Sequence, residues 1–219
     1  MESERPMCSR YELTVNAGDL AAVLARLLGR LPRLPAALDT ALGVQAFRPT
    51  DRAPVLLIDA GGEAAVGLVP WGWPAPWDGS PLFNARIERL AEAPSFRPHL
   101  GRRCLVPATA WTEGRSRVRI GRRDGGLLTM AGLYGRDAAG NPAFTVITRP
   151  AVPAIAHIHP RMPALIDGDD QAMVWLDPAM SAPAALGLLE AAVTPDLSVA
   201  EAAPAAAMPD LFGGSAPSP

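Results

Sequence analysis

Apolar positions change period twice within the first third of the chain. Residues 11–15 (Tyr-Glu-Leu-Thr-Val) alternate as a half-buried strand does. From Leu20 the apolar residues recur at helical spacing, through Val23, Leu24, Leu27, Leu28 and Leu31, which predicts an amphipathic helix. Asp19 is placed to cap its start, and Gly29 with Pro32 to end it. Residues 32–54, rich in Pro and Ala, read as a loop ending in Phe47-Arg48-Pro49-Thr50. Two short apolar runs, 55–58 and 64–69, flank Gly61-Gly62 and predict a hairpin. Residues 70–81 read as an irregular segment holding Trp71, Trp73 and Trp77, and 84–93 as a short helix. Strand-like runs return at 104–110, 118–120, 127–131 and 144–148, with Gly-rich turns between them. A last helix is expected over about 183–192, with Pro183 in its first turn. Short strands around few helices predict a single α+β domain over 7–200, with a curved, largely antiparallel, barrel-like sheet and flanking helices. The Ala/Pro-rich stretch 201–219 reads as a disordered tail.

Composition narrows the class. Of 219 residues 49% are hydrophobic and 19% charged, a globular balance with enough apolar mass for a substantial core. No apolar run approaches the roughly 20 residues that span a bilayer. Residues 1–6 lack the apolar centre of a signal peptide. A cytoplasmic protein without membrane contact is therefore expected, with 1–6 a leader or a mis-assigned start. Cys8 and Cys104 read as free thiols, and no CxxC or HxxxH spacing suggests a metal, so neither metal nor cofactor is expected.

All 20 basic residues are Arg. Residues 84–149 carry twelve Arg against five acids, whereas eight acids and no base follow Arg161. Two explanations stand: an Arg-favouring composition with scattered charge, or an anion-binding face suited to phosphates.

Short motifs then fall in one order. They are Met7-Cys8-Ser9-Arg10, Arg48-Pro49-Thr50, Asn84-Ala85-Arg86, Arg102-Arg103-Cys104-Leu105-Val106-Pro107-Ala108, Trp111-Thr112-Glu113, Ala131-Gly132-Leu133-Tyr134, Phe144-Thr145-Val146-Ile147-Thr148 and Ile158-His159-Pro160-Arg161-Met162-Pro163. Together they resemble the SOS response-associated peptidase (SRAP) family, the abasic-site processing proteins, from Met7 to about residue 200. The resemblance implies a β-rich α+β fold and a cysteine that becomes N-terminal and joins covalently to abasic sites in single-stranded DNA.

On that resemblance Cys8 is the nucleophile. An N-terminal cysteine carries a thiol and an α-amine that are both partly active at neutral pH. The amine condenses with the aldehyde of a ring-opened abasic sugar, and the neighbouring thiol closes a five-membered thiazolidine in an intramolecular step. Glu113 matches the catalytic glutamate that moves protons, and the apolar run ending at Trp111 predicts its partial burial and a raised pKa. His159 matches the motif histidine; His157, two residues earlier, would share its face in an extended segment. Asn84 would hold the amine or the sugar, Arg10 and Arg86 flanking phosphates, and Pro49 the DNA. Thr148 and Arg161 would support the site, and Cys104 belongs to the core.

Two departures from the family pattern stand out. Gly114 follows the glutamate where an aromatic residue is usual, and Val66 stands where relatives carry tryptophan in Trp-Gly-Leu-Ile-Pro. Trp71 or Trp73 would then stack on bases, or else fill the core. The leading expectation is a monomeric DNA-damage protein that captures abasic sites. A single-strand-binding module without the covalent chemistry is the rival, and a thiol peptidase acting on other proteins is a third. Residues 1–6 block the amine unless translation begins at Met7, the simpler route, or the chain cleaves its own Met7–Cys8 bond.

Overall fold

The computed structural model describes residues 9–43, 46–114, 117–137 and 139–200. Cys8, the 1–6 leader and the 201–219 tail lie outside them.

The chain begins with β1 (Tyr11–Glu12) and α1 (Ala17–Leu28). Asn16, not Asp19, caps α1: its side chain accepts the Asp19 N–H at 2.8 Å and donates to the Asp19 carboxylate at 2.7 Å. Asp19 instead occupies the first turn, where a negative charge suits the helix dipole. Gly29 ends the helix with φ +67°, the left-handed conformation glycine adopts without cost. The expected 32–54 loop contains α2 (Leu38–Leu42) and β2 (Ala46–Phe47). The hairpin formed as predicted, from β3 (Arg52–Ile58) and β4 (Ala64–Pro70), with Ile58 opposite Ala64.

Next come β5 (Trp73–Pro74), β6 (Pro81–Leu82) and β7 (Asn84–Arg86). The helix expected over 84–93 is not there. Asn84–Arg86 pairs in parallel with a later strand, and only one 3₁₀ turn, Ile87–Arg89, follows, because tertiary pairing outweighs weak helical periodicity. The remaining strands are β8 (Arg103–Ala108), β9 (Ala110–Glu113), β10 (Val118–Arg122), β11 (Leu128–Arg136), β12 (Pro142–Pro150) and β13 (Arg161–Pro163). Helices α3 (Asp169–Leu176) and α4 (Ala182–Ala191) and strand β14 (Leu197–Ala200) complete the described chain.

The fold is mixed α and β with mostly antiparallel sheets, and the barrel-like closure is corrected to open sheets, two large ones and the two-stranded β5-β6. The larger runs β13-β12-β11-β8-β3-β4, with β7 added alongside β12; the smaller runs β14-β10-β9-β1-β2. Aromatic rings join them. Tyr11 of β1 stacks on Phe47 and meets the edge of Trp71 at 5.0 Å, and Trp71 in turn touches Phe83 and Phe144. Burying these rings locks the end of β1, and hence the residues just before it, against the larger sheet.

A candidate active-site pocket at the start of β1

Glu113 is the last residue of β9, and β9 lies between β1 and β10. Tyr11 pairs with Trp111, and the Arg10 carbonyl accepts the Thr112 N–H at 3.0 Å. This register sets the segment leading into β1 beside Glu113. Glu113 is buried, only 4% exposed, further than the partial burial that the preceding apolar run predicted. Gly114 follows with φ +71°, a conformation that any side chain would strain, so a glycine suits the place where the family pattern has an aromatic residue. Ser9, Arg10, Arg48, Thr112, Glu113, Gly114 and Arg117 line a pocket of about 200 Å³ around this carboxylate. Cys8 is outside the described residues; Ser9, the residue bonded to it, lines the pocket.

Pro49 and its neighbours form the tight turn Arg48–Asp51. The Arg48 carbonyl accepts the Asp51 N–H at 3.0 Å, and the Asp51 carboxylate accepts the Arg48 N–H at 2.8 Å. Proline in the second position and a positive φ in the third are the signature of a type II turn, a place that ordinarily selects glycine. Here the third residue is Thr50, at φ +81°. A β-branched residue in that region is strained by about 1–3 kcal/mol. The turn is held regardless, since Thr50 N–H donates to the Trp71 carbonyl and Trp71 N–H to the Asp51 carbonyl.

Asn84, Arg86 and His159 belong to a second group, around β12. Asn84 and Arg86 pair with Val146 and Thr148. Nδ1 of His159 lies 3.1 Å from both the Arg161 amide nitrogen and the Arg161 carbonyl oxygen, so the backbone serves either tautomer. Arg161 forks onto Glu88 at 2.5 and 2.9 Å and donates to the Thr148 carbonyl at 2.8 Å. The hydrogen-bonded Arg161 guanidinium holds the Glu88 carboxyl below its ordinary range, against the opposing effect of burial. One ion pair thus ties the Asn-Ala-Arg strand to the His-Pro-Arg-Met-Pro segment. The two groups meet at Ile158, next to His159: a Cβ on Gly114 would sit 3.9 Å from its Cγ2. His157 is exposed and His159 half-buried.

Base stacking by Trp71 and Trp73 is corrected. Trp71 is fully buried, with its indole N–H donated to the Phe83 carbonyl, and Trp73 is 5% exposed, with its own donated to the Ser95 carbonyl. Neither ring offers a face to a base. Trp77, in the turn between β5 and β6, is 69% exposed. Cys104 lies in the core, where burial pushes its thiol far above the usual range. The excess of arginine in 84–149 is in large part structural. Arg119, Arg122 and Arg123 pair with carboxylates, and Arg103, Arg136 and Arg149 donate to backbone carbonyls. Sequence reasoning missed Arg48 and Arg117, which stand in the pocket; the turn signature at Pro49-Thr50 was the one local hint of the first. Among the described residues no cluster of three His, Cys, Asp or Glu is placed to hold a metal, and no helix is long and apolar enough to cross a membrane.

The fold, with its open and mostly antiparallel sheets, recurs in solved structures. A phage-related protein of Bordetella bronchiseptica superposes with a TM-score of 0.70, at 22% identity over 89% of this chain and 94% of that one. A protein of Bacteroides thetaiotaomicron gives 0.67, at 22% identity over 88% and 90%. The profile of the SOS response associated peptidase (SRAP) family matches residues 7–205, and the chain belongs to that family. Relatives include abasic site processing protein YoqW of Bacillus subtilis, 33% identical over 144 residues, or 58% of this chain and 64% of the relative. Abasic site processing protein YedK of Escherichia coli is 28% identical over 78% of this chain and 79% of its own. The matched region thus spans just under two thirds of YoqW.

Proposed function

We propose that this chain captures abasic sites in single-stranded DNA by forming a thiazolidine through Cys8 once that residue is N-terminal. The observation that carries the reading is the buried Glu113 carboxylate in a pocket that also contains Ser9, the residue following Cys8. The names of the relatives, abasic site processing proteins, point the same way.

The chemistry balances with one water released. The free α-amine of Cys8 adds to the aldehyde carbon of the opened sugar, and loss of water leaves an imine. The Cys8 thiol then adds to the same carbon, and its proton ends on the ring nitrogen. Each step moves a proton, and Glu113 would be the group to give and take it. His159, held by the Arg161 backbone, would assist at the sugar oxygen, and Asn84 would orient the amine or the sugar. Arg10, Arg86 and Pro49 would hold the flanking strand. Cleavage of the Met7–Cys8 bond, where translation starts upstream, would use the same Cys8 and Glu113.

The test begins with the intact mass of protein made from its own gene, which shows whether Cys8 is N-terminal. Protein with a free Cys8 is then mixed with an oligonucleotide bearing one abasic site. A heat-stable adduct is expected, lost in Cys8→Ala and slowed about 100-fold in Glu113→Gln. An adduct that survives Cys8→Ala would sink the proposal. Salt-sensitive binding with no adduct would mark a binding module instead.

A further inference from the structure

We infer that Arg48 and Arg117, together with Arg10, form a built seat for one backbone phosphate of the bound strand, immediately beside Glu113. The inference rests on the DNA-binding reading above, which already assigns Arg10 to the strand, and it adds Arg48 and Arg117, to which neither the motifs nor the relatives assign a role.

Three observations carry it. Arg10, Arg48 and Arg117 project into one pocket of about 200 Å³, a volume suited to a phosphodiester group and its water. Arg48 and Arg117 are exposed and make no ion pair or side-chain hydrogen bond with any other described residue, unlike most arginines of this chain. Nε of Arg10 is likewise buried without a partner. Three guanidinium groups around the single carboxylate of Glu113 leave a net positive charge, and an anion between them offsets their repulsion.

Backbone conformation is the third observation. Thr50 at φ +81° and Arg117 at φ +49° are the two non-glycine residues with positive φ among those described. One shapes the turn that presents Arg48, and the other is itself a pocket arginine. They come from segments more than sixty residues apart, yet Arg117 lines this cavity and Thr50 lies in the turn whose first residue, Arg48, lines it too. Strain retained at one pocket residue and in the turn that presents another is a mark of a site whose geometry matters. The ligand must be a compact oxyanion able to take several N–H donors, and on a bound strand that is a phosphodiester. A phosphate there would set the adjoining sugar next to Glu113.

The test avoids the covalent step. Full-length protein is titrated with single-stranded DNA containing a tetrahydrofuran abasic analogue, which has no aldehyde and so needs no free amine. The variant Arg48→Gln/Arg117→Gln is expected to bind at least tenfold more weakly, and the slope of log affinity against log salt should fall by about 0.7 for one lost phosphate contact. The control Arg26→Ala/Arg30→Ala removes equal charge elsewhere and should stay within twofold of wild type; circular dichroism and the melting midpoint confirm that the variants fold. Replacing the phosphates beside the analogue, one at a time, by neutral methylphosphonate should weaken wild type at one position and leave the double variant unaffected there. Equal losses in both proteins at every position, a double variant within twofold of wild type, or wild type that does not bind the strand would each overturn the seat. Wild type that binds as expected but forms no adduct with an authentic abasic site would refute the capture chemistry and leave the seat standing.

Discussion

Cys104 shows how surroundings govern a thiol. Cys104 is fully buried among Leu105, Gly132 and Trp175, and loss of solvation disfavours its thiolate, the reactive form. Iodoacetamide at neutral pH is therefore expected to leave Cys104 unmodified in folded protein and to alkylate it after denaturation, as peptide mass mapping would show. Rapid labelling of Cys104 in the native state would contradict its place in the core. Gly132 explains part of the Ala-Gly-Leu-Tyr motif: a Cβ there would lie 2.8 Å from the Thr145 carbonyl and 2.9 Å from the Cys104 sulfur. That motif supports the sheet and not the chemistry. Glu113 was legible as a partly buried carboxylate because an apolar strand leads into it. Arg48 and Arg117 were not, because what singles them out is a shared cavity and a positive φ, and neither leaves a pattern in the order of residues.

Between elements, two arginines act as clamps. Arg103 is 3% exposed and, lacking a carboxylate in contact, donates to the carbonyls of Leu100, Trp175, Asp177 and Met180. Three of these lie at or just beyond the C-terminus of α3, where unpaired carbonyls and the helix dipole favour a cation. Much of the Arg-Arg-Cys motif is thus a device for docking α3 on β8. The Arg161–Glu88 pair does the same for β7 and β13, in partial contact with solvent. Glu88 has its carboxyl lowered in the folded state, so the pair contributes stability above the ordinary carboxylate pKa, and that contribution is lost as pH falls through the lowered value. Glu88→Gln should reduce stability at pH 7 by about 0.5–1 kcal/mol, a modest value because Glu88 is half exposed. The difference should close towards pH 3. Urea titrations at both pH values check this; an undiminished gap at pH 3 would argue against the ion pair as its source. The same elements show how far periodicity reaches. The hairpin 52–70 and helices α1 and α4 were legible as runs of matching period, whereas β7 was mistaken for a helix and α3 was missed. β7 is a strand because β12 offers it partners sixty residues away, and α3 begins on Gly168-Asp169-Asp170 without a side-chain cap to announce it.

At the scale of the whole molecule, the aromatic contacts around Trp71 hold the two sheets in one arrangement. Trp71→Ala would empty a large volume between Tyr11, Phe83 and Phe144 and leave the Phe83 carbonyl with the Val146 N–H as its remaining donor, costing about 3–5 kcal/mol. Equilibrium unfolding followed by fluorescence should show that loss, and a change below 1 kcal/mol would mean that Trp71 is no keystone. Because Tyr11 is part of this cluster and Arg10 precedes it, loosening the cluster should also loosen the pocket. From the order of residues alone came the α+β class, the largely antiparallel strands, the family, and Cys8, Glu113, Asn84, Arg86 and His159 as the residues to consider, since period and motif are local properties. Tertiary structure alone decided that the sheets stay open, that Trp71 and Trp73 are core, which arginines are committed to carbonyls and carboxylates, and that Arg10, Arg48 and Arg117 gather round Glu113. Each of those outcomes depends on contacts between residues far apart in the chain, and spacing along a sequence carries no record of distance across a fold.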